Sequence, residues 1–239
     1  MTELLFRDDS YLTEFKAKIL TIEENAVILD KTAFSFQGGG LKSDTGVITT
    51  PEGVEFEVTK VLSQKGKILH FLNPSPSEDL VGKEITGKID WERRFRQMRM
   101  HTCLHAISGI LYKKYGVHVT GGDIKPEKSR VDFEIDHLRE ERVKEIKEAI
   151  DKIIEKDHPI SVSYIRREEA LKNLDLIRTK VNLIPESVKI LRIVEIEGVD
   201  IQADGGVHVK STKEIGEFIP LKTENRGKNH KRLYFTVKP

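Results

Sequence analysis

His101-Thr-Cys-Leu-His105 carries the densest chemistry in this chain. It lies in a run from Trp91 to Tyr115 with no proline and no glycine before Gly109, and Asp90 just ahead suits a helix N-cap. On a helix, residues i and i+4 project from one face with Cβ atoms about 5–6 Å apart. Two imidazoles so placed can share one metal ion, whereas Cys103, at i+2, points to a different face. Thr102 stands where His-Glu-x-x-His proteases need their glutamate base, so that chemistry is disfavoured. Alone, the pair also fits two packed core histidines.

A second group has matching chemistry. Asp200-Ile-Gln-Ala-Asp-Gly-Gly-Val-His208 follows a strand expected at Val188 to Ile196. Gly205 and Gly206 permit a tight turn with positive φ, which would bring Asp204 and His208 to one point. Histidines with one carboxylate are the ligand types that leave a catalytic zinc an open position for water. The expectation is one zinc ion per chain on His101, His105 and His208, with Asp204 binding it directly or through a water. The same turn would equally suit a hairpin with a capping aspartate and a surface histidine.

The elements that must position these residues follow from patterning. Up to about residue 88 the chain reads as β. Ala17 to Leu29 and Gly53 to Leu62 are rich in β-branched residues, and Gly, Asn, Pro and Asp punctuate them, which suggests a small barrel or sandwich. After the Trp91–Tyr115 helix come a glycine-rich loop and a strand at Ser129 to Ile135. Val143, Ile146, Ile150 and Ile153 then mark an amphipathic helix. A strand at Val162 to Ile165, a short helix at Arg166 to Leu174, and strands near Phe218 to Lys222 and Arg232 to Val237 complete the chain. The fold class is α+β: a small N-terminal β-barrel-like domain, residues 1–88, then an α+β domain, residues 89–239, with helices on a mainly antiparallel sheet.

Two further segments could meet a ligand. Gly38-Gly39-Gly40 lets backbone N–H groups approach closely, with Asp44 and Gly46 shaping the exit, but it lacks the Lys-Ser/Thr ending of a P-loop. It also reads as a plain loop. Lys222-Thr-Glu-Asn-Arg-Gly-Lys-Asn-His-Lys-Arg232 gathers positive charge, notably Arg226, Lys228 and Lys231, and Arg93, Arg94, Arg96 and Arg99 add a basic stretch on the helix. Such clusters can neutralise phosphates, or can be solvated faces.

Bulk numbers set the limits. With 239 residues there is room for a sizeable core. A net charge of +1 gives no global pull toward nucleic acid or anionic membrane, so any polyanion must be met by local clusters. One cysteine excludes an intrachain disulfide and a multi-cysteine zinc site, and fits a cytoplasmic location. The acidic N-terminal segment does not have a signal peptide's pattern, and no stretch approaches the roughly 20 apolar residues of a membrane span.

Taken in order, these segments resemble the stand-alone alanyl-tRNA editing proteins, and the editing domains of alanyl- and threonyl-tRNA synthetases. Gly38-Gly39-Gly40 with Asp44 and Gly46 resembles the family's glycine-rich motif. Asp90-Trp-Glu-Arg-Arg-Phe leading into His101-Thr-Cys-Leu-His105 resembles its first zinc motif. Asp204-Gly-Gly-Val-His208, followed by Thr212 to Gly216, resembles the second, with Asp204 where the family often has cysteine. Lys222 to Lys228 resembles its C-terminal basic loop. The resemblance covers nearly the whole chain and fits the middle-sized members. It implies hydrolysis of alanine tRNA wrongly charged with serine or glycine, at zinc on His101, His105 and His208. From the chain's own patterning, no membrane association is expected and no obligate protein partner is evident. Thr120 is where the serine hydroxyl would be sensed, by a hydrogen bond that alanine cannot make. Two other readings suit parts of the pattern: a non-catalytic tRNA-binding module with a structural metal, and an unrelated zinc amidase or peptidase.

Overall fold

The computed structural model describes residues 2–172 and 188–238. Its strands are β1 (Glu3–Leu4), β2 (Glu14–Glu23), β3 (Ala26–Leu29), β4 (Lys31–Thr32), β5 (Gly46–Thr49), β6 (Glu55–Gln64), β7 (Lys67–Asn73) and β8 (Glu84–Ile89) before the first helix, α1 (Trp91–Tyr115). Then come β9 (Val119–Asp123), β10 (Ser129–Phe133), α2 (Glu140–Lys156), β11 (Ile160–Arg166), α3 (Arg167–Ala170), β12 (Ile190–Ile196), β13 (Asp200–Ala203), β14 (Glu217–Asn225) and β15 (Lys231–Lys238). The class is α+β. The chain divides into two compact units, Met1–Gln97 and Met98–Pro239, so the division falls inside α1.

The first unit is a closed antiparallel barrel in the order β2-β3-β7-β6-β5-β8. Alternation writes its interior: in β2, Phe15, Ala17 and Ile19 are buried while Glu14, Lys16 and Lys18 face water. In β6 the buried residues jump from Val58 to Val61 because the register shifts between Val58 and Lys60, a bulge that changes the phase. The segment Ala17 to Leu29 is two strands, turned at Glu24-Asn25 with Glu24 at φ 55°. Asp90 caps α1 as its position implies, accepting the Arg93 N–H at 3.2 Å.

The second unit has a four-stranded antiparallel sheet, β14-β15-β10-β9, and a three-stranded one, β11-β12-β13. The glycine-rich loop expected after α1 is instead strand β9. Gly122 pairs with Val131, and a β-carbon on it would lie 3.1 Å from Leu104 Cδ1, so the missing side chain lets the sheet reach α1. Gly109 does the same within the helix: a β-carbon there would lie 2.4 Å from the Val199 carbonyl oxygen. From Met98 to Gly109, α1 is buried on all sides, so its histidines are interior. The short helix after β11 spans Arg167–Ala170, and the expected end at Leu174 lies outside the described residues. No helix among the described residues is long and apolar enough to cross a membrane.

Candidate metal centre

Helix α1 presents His101 and His105 on one face, and the loop after β13 brings Asp204 and His208 to them. One donor atom from each of the four residues lies within 4.8 Å of the others. His101 Nε2 is 3.6 Å and His105 Nε2 4.0 Å from Asp204 Oδ1, and His208 Nε2 is 3.2 Å from Asp204 Oδ2. The three imidazoles also pack against one another, with ring centroids 4.1–4.8 Å apart.

Each imidazole has its other nitrogen engaged. His101 Nδ1 lies 3.2 Å from the Val207 carbonyl. His208 Nδ1 lies 3.1 Å from Thr102 Oγ1, which also accepts the Val209 N–H. His105 Nδ1 lies 3.2 Å from Asp200 Oδ2 and 3.0 Å from the Gln202 side-chain amide, which itself donates to Asp200 at 2.7 Å. With every Nδ1 held, every Nε2 faces the common centre, which is how metal-ligating histidines are oriented by their outer partners.

The turn is not built as the sequence suggested. Neither Gly205 nor Gly206 uses a positive φ. Instead the Asp204 carboxylate accepts the Gly206 N–H at 2.6 Å, and buried Arg192 donates to the carbonyls of Asp204 and Gly206 at 3.0 and 2.9 Å. A side-chain clamp shapes the turn in place of a positive-φ glycine.

Burial lowers the His101 pKa to about 4 and drives His208 well below its ordinary value, in both cases against the Asp204 carboxylate, which favours the charged imidazole. Both are therefore neutral near pH 7, the form that a metal requires. Burial opposes charge on Asp204, but the imidazoles around it, His101 foremost, hold its carboxyl well below the usual range. Three imidazole nitrogens and one carboxylate oxygen are a donor set that suits zinc. Cys103 is not among the gathered donors, and burial pushes its thiol pKa up.

Thr120 lies in β9 at the register irregularity, between Val119, opposite Phe133, and Gly121, opposite Asp132. Its side chain is exposed, and it is not part of the four-residue cluster. Gly38 and Leu41 exchange two backbone hydrogen bonds around Gly39 and Gly40, whose φ values are +59° and +88°. This is a tight two-residue turn that leaves Gly38 and Gly39 exposed.

Asp44, expected to shape the exit of the glycine loop, lies inside the barrel unit. It is fully buried, accepts the Ser35 N–H at 2.6 Å and forms an ion pair with Arg94. Arg94 is therefore no surface cation, and neither is Arg99, which donates to the Ile215 and Lys238 carbonyls. Lys231 is also turned inward, donating to the Gly227 carbonyl at 2.8 Å. The basic segment is the β14–β15 hairpin, and at its tip Arg226 and Lys228 are exposed.

Sequence reasoning missed Asp200, Gln202, Arg192 and Thr102. The first two carried a signal. On a strand, residues 200, 202 and 204 share one face, so a strand ending at Ala203 aims all three the same way. Arg192 carried a weaker one, as a charge inside an apolar strand.

Two family models match. Residues 7–93 match the class II (A) tRNA synthetases, and residues 191–234 match the threonyl and alanyl tRNA synthetase second additional domain. The alanyl-tRNA editing protein AlaX-M of Saccharolobus solfataricus is 45% identical over 100% of both chains. Its namesake in Methanosarcina acetivorans is 38% identical over 99% of both. The alanine–tRNA ligase of Ignicoccus hospitalis is 39% identical over 93% of this chain but only 24% of its own length. With full-length identity at this level, the chain belongs to the AlaX-M family of alanyl-tRNA editing proteins.

Proposed function

We propose that this protein deacylates alanine tRNA charged with serine or glycine, at one zinc ion held by His101, His105 and His208 with Asp204. The observation that carries the reading is the convergence of three Nε2 atoms on one carboxylate, each imidazole fixed by its own outer partner. An aminoacyl ester is already reactive, so the site needs mainly to position water and stabilise developing charge. Zinc, when bound, supplies Lewis acidity for both. Asp200 and Gln202 hold His105, and Thr102 holds His208, so the ligand set is fixed before substrate arrives. Asp204, clamped by Gly206 N–H, serves as ligand or as the acceptor for an attacking water's proton. The deciding experiment is deacylation of serine-charged and alanine-charged alanine tRNA, with and without a chelator. Release of serine that stops on chelation and resumes with zinc is the expected result.

One observation favours a second reading. If Asp204 completes a four-ligand set, the site is closed in the manner of structural zinc. The protein would then be a tRNA-binding module, and chelation would lower its melting temperature with no esterase activity to lose.

Selectivity is assigned to Thr120. An apolar pocket that admits serine also admits alanine, so rejection must rest on a polar contact that alanine leaves unmade. Thr120→Val keeps the shape and removes the hydroxyl. It should lower the rate on serine-charged tRNA about a hundredfold, ~2.7 kcal/mol, leaving zinc content and the slow alanine rate unchanged. Equal loss on both substrates would remove Thr120 from this role.

For the tRNA itself, the hairpin tip is the proposed contact. Arg226→Glu with Lys228→Glu should weaken tRNA binding roughly tenfold and reduce the slope of log affinity against log salt by about 2, one for each lost phosphate contact. An unchanged slope in a salt titration would return both residues to the solvent.

A further inference from the structure

Outside the metal centre, one cavity of the second unit is lined by several basic residues. Its volume is about 210 Å³, and Lys113 at the end of α1, Lys152 and Lys156 in the last turns of α2, and His158 just beyond line it over an apolar floor that includes Ile110 and Val199. Among the described residues, no carboxylate lines it. Lys152 and Lys156 form no ion pair or hydrogen bond among the described residues, and Lys113 donates to a backbone carbonyl, Gly198 O, at 2.8 Å.

Lysines often end helices because they offset the negative end of the macrodipole. That accounts for their composition but not for their placement. Lysines used as caps bond the last free carbonyls of their helix. Here Lys152 and Lys156 bond none, and Lys113 reaches across to a different turn. Three lysines line one concavity, and an anion bound there offsets their like charges. The apolar floor lowers the local dielectric and strengthens the attraction.

We infer that this cavity binds a phosphate group, and that the phosphate is one of the tRNA backbone. The choice of tRNA as its source rests on the proposed function. The phosphate chemistry does not.

The test uses Lys152→Glu/Lys156→Glu, two exposed positions on α2. Inorganic phosphate is titrated against full-length protein and followed by the phosphorus NMR line width. Binding of uncharged alanine tRNA is measured by fluorescence anisotropy across a salt series. Wild-type protein should broaden the phosphate line and the variant should not. The variant should also bind tRNA about tenfold more weakly, with a salt slope reduced by about 2. Lost phosphate binding with unchanged tRNA affinity would keep the anion site and overturn the backbone as its source. Phosphate binding equal in both proteins, or absent from both, would overturn the site. Neither readout depends on ester hydrolysis, so failure of the editing reading would show separately, as absent deacylation with these binding results intact.

Discussion

His208→Ala should release the metal and lower serine deacylation by at least about a thousandfold, ~4 kcal/mol of transition-state stabilisation. His208 is the informative proposed ligand because it lies in the loop after β13, outside α1 and the strands of both sheets. His101 and His105 lie in the buried stretch of α1, so replacing either would disturb the packing of the helix as well as removing a proposed ligand. The readouts are zinc content by elemental analysis, deacylation rate, and far-ultraviolet circular dichroism. Zinc and activity should fall together with the helical signal unchanged. Activity lost with zinc still stoichiometric would mean that His208 acts on substrate rather than on the metal. Zinc lost with activity intact would remove metal from the reaction. Asp204→Asn separates its two possible roles: lost zinc marks it as a ligand, whereas retained zinc with a slow reaction marks it as the proton acceptor.

What was readable in advance follows a physical divide. Helix α1 was legible end to end, because Asp90 caps it and nothing before Gly109 breaks it. The histidine pair was legible because helical geometry converts a spacing of four into shared direction. The four arginines of α1 look alike as letters, yet Arg94 is 0% exposed and Arg96 is exposed. Arg94 falls on the helical stripe of Met98, His101 and His105, so periodicity could have placed it inside. Strand β9 was illegible because its glycines mimic a loop. The reason for Gly122, the approach of Leu104, lies in α1 and not in the strand itself. The glycines after Asp204 misled in the opposite sense, since the turn they would permit is made by Arg192 and a carboxylate. Local rules recovered elements and directions, while side chains that serve a partner distant in sequence stayed hidden until the chain was folded.

Asp44→Ala should destabilise the barrel unit by about 3–5 kcal/mol, the cost of leaving one member of a buried ion pair uncompensated. The Arg94 guanidinium is 0% exposed and fully committed: it pairs with the Asp44 carboxylate and donates to the carbonyls of Ser10 at 2.8 Å and Ala33 at 2.6 Å. Asp44 in turn holds the Ser35 N–H, so this one pair ties the start of α1 to the segment 33–35 and to the exit of the glycine turn. Removing the carboxylate strands a charge where water cannot reach it, and salt should not rescue it, because buried pairs are poorly screened. Asp44→Asn should cost less, since an amide oxygen can still accept from Arg94. Replacing both residues with leucine should recover part of the loss, because the pair's own desolvation is then removed, though Ser10 and Ala33 still lose a donor. Urea unfolding followed by the fluorescence of Trp91, which packs against Tyr11 in this unit, reads the transition directly. A midpoint unchanged in Asp44→Ala, together with weaker tRNA binding, would assign Asp44 to tRNA contact rather than to the barrel's stability. The expected pattern is the reverse, with a large fall in midpoint and, in the folded fraction, tRNA affinity within about twofold of wild type.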